Sequence, residues 1–556
     1  MERVWWKESV GYQIYPRSFK DSNNDGIGDI KGIISKLDYL KDLGVNLIWI
    51  SPMYNSPNDD NGYDISNYQD IMNDFGTMDD FNELLEEIHK RNMKVILDLV
   101  INHTSDEHPW FIESKSSINS PKRDWYIWRK GKEGKEPNNW ESIFNGSVWE
   151  YDEETKEYYM HLFSKKQPDL NWENREVRNE IYKMMIWWLD KGIDGFRVDA
   201  ISHIKKEPGL KDMPNPDNLK YVSSFDKHMN INGIQDLLKE IKEETFSKYD
   251  IVTVGEANGV NSDEALDWVG EKNGKFSMIF QFEHLRLWES HVGKELSMKE
   301  LKDILTRWQY ALADDGWNAL FIENHDIPRA VSSWGSDKEY YKESAKALAM
   351  MYFMQKGTPF IYQGQELGMT NVVVKSIEEV DDIQTVNLYY DKLNYGVTKE
   401  EALELVNSVS RDNARTPMQW DDSEYAGFSD SKPWIRVNEN YKYINVKSEE
   451  EDSDSILNFY KKMINLRREH LCLIYGKYEL ILENSEEIFA YTRTLDDEKF
   501  IVITNLSNKE VNYSFETYKL KYKNLILSNY EVNEHCDYNE FKLRPYEARL
   551  YRVKNK

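Results

Sequence analysis

This chain has little cysteine and a shortage of positive charge. Cys472 and Cys536 are the only cysteines in 556 residues; without Cys-x-x-Cys spacing or a nearby histidine pair they indicate neither a disulfide framework nor a zinc site. Lysine and arginine total 71 against 98 acids, which gives a formal net charge of −27. Nucleic acid and anionic membranes would repel such a surface, so we predict neither as a partner.

Long apolar runs are also missing. No run reaches membrane-spanning length, and the first residues lack the apolar core of a secretion signal. We therefore expect a cytoplasmic protein, either a monomer or a weak homo-oligomer. A chain of 556 residues exceeds what one hydrophobic core usually supports, which predicts two or three domains.

Short apolar runs alternate with helical patterns along most of the chain. Strand-like runs lie near residues 10–15, 45–51, 94–101, 195–201, 251–256, 278–283, 318–323 and 359–363. Helical spacing fills the intervals, as in residues 30–43, 81–91, 177–189, 301–313 and 340–354. Eight strands alternating with helices predict an α/β fold, a parallel (β/α)8 TIM barrel, in which chemistry collects at the C-terminal strand ends.

Two long segments interrupt the alternation. Residues 104–171, rich in Trp, Lys and Asn without helical period, predict an inserted domain over the barrel mouth, and residues 367 to about 450 form a second excursion. Alternating short strands from residue 478 predict a C-terminal antiparallel β domain. The predicted division is therefore a barrel of residues 1–103 and 172–477, an inserted domain of residues 104–171 and a β-sandwich of residues 478–556.

Several predicted strands end in polar or charged residues. Arg197 and Asp199 interrupt an apolar, β-branched stretch, where their burial costs free energy unless the site uses them. His103, Glu256 and Asp326 stand at or just past the ends of three other runs. A structural ion pair explains Arg197 and Asp199 alone, but four such runs are hard to explain as unrelated salt bridges.

Ordered motifs along essentially the whole chain resemble the α-amylase superfamily, glycoside hydrolase family 13. They are Asp98 to His103, Gly195 to His203, Gly255 to Ala257 and Asn324 to Asp326. Three further motifs are similar to its oligo-1,6-glucosidase and α-glucosidase subfamily: Tyr12 to Phe19, Gln167 to Trp172 and Arg411 to Trp420. The resemblance implies an enzyme acting on small oligosaccharides. Its nucleophile would be Asp199, its general acid/base Glu256, and its third acid Asp326, which binds sugar hydroxyls and strains the ring.

The residue types suit this chemistry. Cleaving a glycosidic bond needs an acid for the leaving oxygen and a carboxylate for the oxocarbenium-like centre. Asp199 and Glu256 stand on neighbouring predicted strands, so we expect their carboxyl groups about 5 to 5.5 Å apart, the separation of retaining enzymes. Arg197, two residues before Asp199, points to the same side, and its charge is expected to keep Asp199 ionised.

The resemblance also implies contacts with the glucose in the −1 site. His103 and His325 are expected to donate hydrogen bonds to it, although lone histidines at strand ends are more often structural. Tyr63 is expected to stack on the sugar face, with a core aromatic as the alternative. Phe163 and Gln167 are candidates for the entry and +1 region.

Three acidic or basic residues carry further expectations. The resemblance pairs Asp60 with Arg415 across the closed end of the pocket, where they hold the non-reducing 4-OH and restrict the enzyme to removing one glucose at a time. A surface salt bridge is the alternative for this pair. Asp98 is similar in position to a residue that braces the site, and a buried structural ion pair explains it equally well.

We expect Ala200 and Asn258 to decide which glycosidic linkage is cleaved. In this subfamily a valine after the nucleophile accompanies preference for α-1,6 bonds, whereas Ala200 leaves room for a 4-linked glucose and Asn258 offers it a hydrogen bond. We therefore predict an exo-acting retaining α-glucosidase that cleaves maltose well and also isomaltose or sucrose. Oligo-1,6-glucosidase, trehalose-6-phosphate hydrolase and sucrose isomerase are the enzymatic alternatives. The alternative from another class is a non-catalytic protein related to the heavy chains of amino-acid transporters. Such proteins carry a transmembrane helix and need not retain the acids.

The loop of residues 21–29 spaces oxygen donors at alternate positions, as a calcium loop does. It lacks the bidentate glutamate of an EF-hand, which would fall at Gly32, and an ordinary Asx-rich turn is the alternative. The resemblance implies one structural Ca²⁺, or Mg²⁺, and no catalytic cofactor, since hydrolysis by two carboxylates needs no metal. The predicted ligands are Asp21, Asn23, Asp25, Ile27 and Asp29.

Overall fold

The structure, a computed structural model, describes residues 3–285, 287, 297–514, 523–532 and 540–553. Cys536 lies outside these ranges, and Cys472 is a buried free thiol. Within the described ranges, every helix is too short or too polar to cross a membrane.

Eight parallel strands within the described residues form a barrel. They are Gly11–Ile14 (β1), Leu47–Ile50 (β2), Lys94–Val100 (β3), Gly195–Asp199 (β4), Val252–Ala257 (β5), Met278–Gln281 (β6), Ala319–Leu320 (β7) and Thr358–Tyr362 (β8). Their order is β6-β5-β4-β3-β2-β1-β8-β7, and the two end strands, β6 and β7, contact each other. The predicted (β/α)8 barrel is confirmed, and each strand falls on one of the eight predicted apolar runs.

The barrel strands are buried because helices cover their outer faces and side chains fill the interior. Strand β4 is buried at all five positions, including the charged ones. Gly195 opens β4 with a φ of +144°, and a Cβ there would lie 1.8 Å from the carbonyl oxygen of Val252 on β5. Only glycine permits this close approach, which brings β4 and β5 together at the strands that carry the predicted catalytic acids.

Helices occupy the predicted intervals. The predicted helix over residues 30–43 is divided into two helices at Lys36, whose φ and ψ of −111° and 5° are not helical. The α-helices of the barrel and its connections are Ile30–Ser35, Leu37–Leu43, Met78–Lys90, Arg175–Asp190, Ile234–Glu244, Ala265–Val269, Met298–Ala311, Ala330–Ser333, Tyr341–Phe353, Val446–Glu451, Ile456–Glu469 and Leu471–Tyr475.

The segment of residues 104–171 has a small core of its own. Its helix Pro109–Lys115 is followed by an antiparallel sheet of the strands Trp128–Arg129, Glu157–Met160 and Trp149–Asp152. Trp140, Trp149 and Met160 pack in an apolar cluster separate from the barrel core. A further strand, Trp140–Glu141, pairs with Val222–Ser223, so the segment also binds the stretch after β4. The predicted boundaries at residues 104 and 171 stay a prediction.

The second excursion includes the α-helices Ile383–Asn394, Lys399–Val409 and Asp412–Arg415. Tyr389, Ala402 and Val406 pack in another small apolar cluster. Asn387 Nδ2 donates a hydrogen bond to the carbonyl of Phe144 at 3.0 Å, which joins this excursion to the inserted segment.

The C-terminal segment is an antiparallel β structure, as predicted. Five strands form one sheet in the order Lys477–Ile481, Ile488–Leu495, Glu498–Asn505, Ala548–Val553 and Lys523–Ser528. A separate pair joins Val511–Ser514 to Glu540–Leu543. Arg493 of this sheet is fully buried and donates hydrogen bonds to the Met354 and Leu473 carbonyls at 2.6 and 2.8 Å, which ties the sheet to the barrel.

Candidate active site

Two neighbouring strands, β4 and β5, bring the predicted nucleophile and general acid/base together, and β3 adds Asp98. Arg197 on β4 lies opposite Asp98 on β3, and Val198 lies opposite Gly255 on β5. Because the register continues by one residue, Asp199 and Glu256 stand side by side on strands spaced about 4.8 Å apart. The residues at the end of β4 therefore lie beside the ends of β3 on one side and β5 on the other.

Arg197 contacts three carboxylates of the site. Its Nη1 donates to Asp98 Oδ1 at 2.8 Å and to Asp199 Oδ1 at 2.7 Å, and its Nη2 lies 2.8 Å from Glu256 Oε1. One guanidinium thus contacts both proposed catalytic carboxylates, an arrangement compatible with the ~5 to 5.5 Å separation of retaining glycosidases. The cluster is buried and holds three acids for one base.

Two acids of this cluster, Asp98 and Asp199, have pKa values raised above their ordinary values. Burial, followed by the charge of Glu256, raises the pKa of Asp199 well above its ordinary value, and Arg197 offsets only part of that rise. Burial likewise raises the pKa of Asp98 to about 6 against the opposing charge of Arg197. The charge of Arg197 acts in the predicted direction and lowers the pKa of Asp199, while burial and the charge of Glu256 raise it. That Arg197 keeps Asp199 ionised stays a prediction.

Glu256 is held at both oxygens. Besides the contact of Oε1 with Arg197, its Oε2 accepts the backbone N–H of Ala200 at 2.6 Å. Ala200 adopts a left-handed conformation, with φ and ψ of 45° and 31°, and this turn directs its N–H toward Glu256. The residue after Asp199 therefore orients the acid on the neighbouring strand as well as lining the pocket.

Asp326 sits among positive groups. Arg415 Nη2 donates to its Oδ1 at 2.9 Å, and Arg411 Nη1 donates to the same oxygen at 3.4 Å. Burial raises the pKa of Asp326, but His325, Arg411 and Arg415 together lower it below its ordinary value. Asp326 is therefore ionised at neutral pH.

The two histidines are neutral at pH 7. Burial lowers the pKa of His103 to about 4 and that of His325 to about 3. His103 lines the cavity, and its Nε2 lies 3.1 Å from the Tyr63 carbonyl. The ring of Tyr63 stacks on that of His325 with centroids 5.2 Å apart, and its hydroxyl donates to Asp98 Oδ2 at 3.0 Å.

The predicted pairing of Asp60 with Arg415 was wrong. Asp60 Oδ1 accepts a hydrogen bond from Arg411 Nη2 at 2.9 Å, and its Oδ2 accepts one from Gln167 Nε2 at 3.1 Å. Arg415 is fully buried and turns to Asp326. Arg411 is aimed at Asp60 because Asp382 holds its Nε and Nη2 at 2.9 and 2.6 Å.

A cavity of about 280 Å³ lies over these residues, close to the ~300 Å³ lower limit of small-molecule sites. The predicted site residues in its lining are Asp60, Tyr63, His103, Phe163, Asp199, Ala200, Glu256, Asn258 and Asp326. The predicted residues Gln167, Arg197, His325 and Arg415 stand behind this wall and contact the lining side chains.

Sequence reasoning missed part of the lining. These residues are Ile143, Phe144, His203, Phe225, Phe282, Leu285, Asn324, Ile327, Gln384 and Arg411. Arg411 opens a recognised motif, so a signal for it existed. Phe144 and Gln384 come from the two excursions, and no local pattern around them indicates that they face the strand ends.

The acidic loop of residues 21–29 is internally hydrogen-bonded. Asp21 Oδ2 accepts the hydroxyl of Ser429 at 2.6 Å, and Asp29 Oδ1 accepts the N–H of Gly32 at 2.7 Å, which caps the helix that follows. The predicted metal ligands in this loop all offer oxygen atoms, the ligand atoms that a hard cation such as Ca²⁺ prefers. In the described ranges, however, no group of three or more His, Cys, Asp or Glu side chains is arranged to hold a metal. The metal site stays a prediction.

Comparison with known proteins agrees with this geometry. Residues 13–476 match the family model of the alpha-amylase catalytic domain, and residues 488–549 match that of the SusG alpha-amylase C-terminal domain. The chain is 59% identical to the probable oligo-1,6-glucosidase 3 of Bacillus subtilis, over 99% of this chain and 100% of that one. It is 56% identical to the oligo-1,6-glucosidase of Parageobacillus thermoglucosidasius, with both chains covered completely. The crystal structure of the trehalose-6-phosphate hydrolase of Bacillus licheniformis superimposes with a TM-score of 0.93 at 43% identity, over 100% of both chains.

Proposed function

Because this chain belongs to the α-amylase superfamily, and within it to the oligo-1,6-glucosidase and α-glucosidase group, we propose that it is an exo-acting retaining α-glucosidase. It releases glucose from the non-reducing end of short α-glucosides. The observation that carries this proposal is the guanidinium of Arg197, which contacts Asp199 and Glu256 together at the ends of adjacent strands.

The reaction is a double displacement. Asp199 attacks the anomeric carbon while Glu256 gives its proton to the glycosidic oxygen, so the leaving sugar departs with that proton and glucose stays bonded to Asp199. Glu256, now a carboxylate, then takes a proton from water, whose oxygen attacks the same carbon and releases Asp199. Two inversions return the α configuration.

The glucose in the −1 site is held by the residues around the pair. Asp326, ionised among Arg411 and Arg415, accepts hydrogen bonds from the sugar hydroxyls. We propose that His103 and His325, both neutral, each turn a ring N–H to the sugar when it binds; without the sugar, His103 Nε2 faces the Tyr63 carbonyl. Such contacts, when stronger in the distorted ring of the transition state than in the bound substrate, lower the barrier.

Exo action follows from a closed pocket end. Asp60, held by Arg411 and Gln167, takes the position that the prediction gave to the pair Asp60–Arg415. A carboxylate–guanidinium pair at this end offers an acceptor and a donor to the terminal 4-OH and leaves no path for a further glucose. One sugar unit is therefore removed at a time.

We further propose that the enzyme accepts both α-1,6 and α-1,4 bonds. The two relatives named oligo-1,6-glucosidase support the first. Ala200, which lines the pocket with a single methyl group, supports the second. The loop of residues 21–29 is proposed to hold a structural cation through Asp21, Asn23, Asp25, Ile27 and Asp29, and it takes no part in the chemistry.

A substrate panel tests this proposal. Maltose, isomaltose, sucrose, trehalose and trehalose 6-phosphate are assayed for glucose release, and the first product anomer is identified by NMR. We expect α-glucose from maltose and isomaltose. Release of β-glucose would refute the retaining mechanism; activity confined to trehalose 6-phosphate, or isomerisation of sucrose without net hydrolysis, would refute the proposed specificity.

A further inference from the structure

Gln13 on β1 is a buried polar residue that the mechanism does not use. Its side chain is 1% exposed, and its Nε2 donates to Ser51 Oγ at 3.1 Å and lies 2.8 Å from His325 Nδ1. An amide NH2 group can only donate, so Nδ1 of His325 must accept. The neutral imidazole then carries its proton on Nε2, the nitrogen that lies 3.1 Å from Asp326 Oδ2.

The orientation of the His325 ring is fixed as well. It stacks between Tyr63, at a centroid distance of 5.2 Å and an interplanar angle of 7°, and Tyr15, at 6.0 Å and 22°. Within the described residues, Nε2 makes no hydrogen bond, because its contact with Asp326 lacks hydrogen-bond geometry. A proton on Nε2 is therefore not taken up by an acceptor of the described residues.

This assignment requires that the amide of Gln13 not be turned over, since a turned amide would present its oxygen to Nδ1 and move the proton there. The small cavity beside Gln13 supports the orientation seen. It measures about 10 Å³ and is lined by Gln13, Arg197 and Glu256, among others, which is close to the ~10 to 15 Å³ that one buried water needs.

Two of the residues that line this cavity carry a buried polar atom without a hydrogen-bond partner in the described part of the chain, Gln13 Oε1 and Arg197 Nε. One is an acceptor and the other a donor, so a single water can satisfy both by donating to Oε1 and accepting from Nε. A turned amide would instead bring a second donor, its NH2 group, to the cavity that Arg197 also lines, and a single water could then not satisfy both residues in this way.

We propose that Gln13 is a positioning residue that fixes His325 in the Nε2–H tautomer, and that one buried water between Gln13 Oε1 and Arg197 Nε holds the amide in place. The inference rests on the proposed function, because the value of that tautomer is the hydrogen bond it gives to the sugar. It links the arginine beneath the catalytic acids to the protonation of a histidine at the far side of the pocket.

The tautomer is measured directly in the full-length wild-type enzyme. The protein is labelled with ¹³C,¹⁵N-histidine, and the His325 signal is assigned by its loss in His325→Gln. We expect Nε2–H in the wild type and a mixture of tautomers in Gln13→Met. Gln13→Glu, whose carboxylate only accepts, should protonate Nδ1. Nδ1–H in the wild type, or an unchanged signal in both Gln13 variants, would overturn the proposal.

Kinetics and a matched control separate positioning from general loss of packing. Gln365→Met removes another buried glutamine, which bonds Tyr352 and Tyr460 instead. We expect kcat/KM to fall about tenfold or more in Gln13→Met, with the His325 signal and kcat/KM kept in Gln365→Met. A high-resolution crystal structure should show one water bonded to both Gln13 Oε1 and Arg197 Nε; its absence would refute that part. If the wild type hydrolyses no α-glucoside, the proposed function fails, and the tautomer measurement still stands by itself.

Discussion

Replacing Asp199 with asparagine should abolish turnover and stabilise the fold at the same time. Asp98, Asp199 and Glu256 share the single positive charge of Arg197 in a buried cluster. Burial and the charge of Glu256 raise the pKa of Asp199, so its ionised form is less stable in the folded protein than in water. Asparagine keeps the shape and removes that charge.

The size of the gain follows from the pKa displacement. Each unit corresponds to about 1.4 kcal/mol. With about 2.1 cal/mol/K of unfolding entropy per residue, a cooperative unit of 556 residues has an unfolding entropy of ~1.2 kcal/mol/K. We therefore expect Tm to rise by about 1 °C for each pH unit by which folding raises the pKa of Asp199. Turnover should fall on the order of 10³-fold or more, because the proposed nucleophile is lost.

The pH dependence has a definite sign. An acid whose pKa is raised on folding contributes stability that is fully present below its unfolded pKa of about 4 and is lost as pH rises through the folded value. The advantage of Asp199→Asn should therefore be present near pH 7 and vanish near pH 4.

Calorimetry at both pH values and a glucose-release assay measure the two effects. Asp303→Asn is the matched control, because Asp303 is exposed on the helix Met298–Ala311 and should change neither Tm nor rate. An Asp199→Asn protein that keeps a tenth of the wild-type rate would refute the catalytic assignment. A lower Tm near pH 7 would refute the electrostatic argument.

Two further predictions concern linkage and metal. Ala200→Val should shift the ratio of kcat/KM for isomaltose to that for maltose upward by roughly tenfold, and should lower Tm because valine resists the left-handed conformation at this position; an unchanged ratio would refute the steric argument. Chelation should lower Tm while leaving the rate at a permissive temperature nearly unchanged, because a cation that binds only the folded state stabilises by mass action. Identical melting curves after complete metal removal would exclude the cation.

The barrel could be predicted from the sequence because each strand is buried on both faces and reads as a short apolar run. The charged residues of β4 stood out against that run for the same reason. By contrast, which arginine meets Asp60 could not be predicted. Arg411 and Arg415 are one helical turn apart, and Asp382, in a segment without local signal, decides which of them turns to the pocket.

The direction in which the pKa of Asp199 is displaced was also beyond a sequence argument. The neighbouring arginine is visible in the sequence, but the extent of burial and the arrival of Glu256 from the next strand are not. Both effects depend on the folded barrel, and together they outweigh Arg197.

The pairing of β1 with β8 has a consequence for how the protein is made. Strand β1 can pair with β2 early in synthesis, but its other edge waits for Thr358–Tyr362, about 350 residues later. At ~5 to 20 residues per second on the ribosome, this wait lasts roughly 20 to 70 s. During that interval the unpaired edge of this apolar strand exposes backbone N–H and C=O groups with which other chains can pair. Gln384 and Arg411, which complete the pocket wall, emerge later still. A chain whose translation stops before them therefore carries the proposed catalytic acids without a complete pocket.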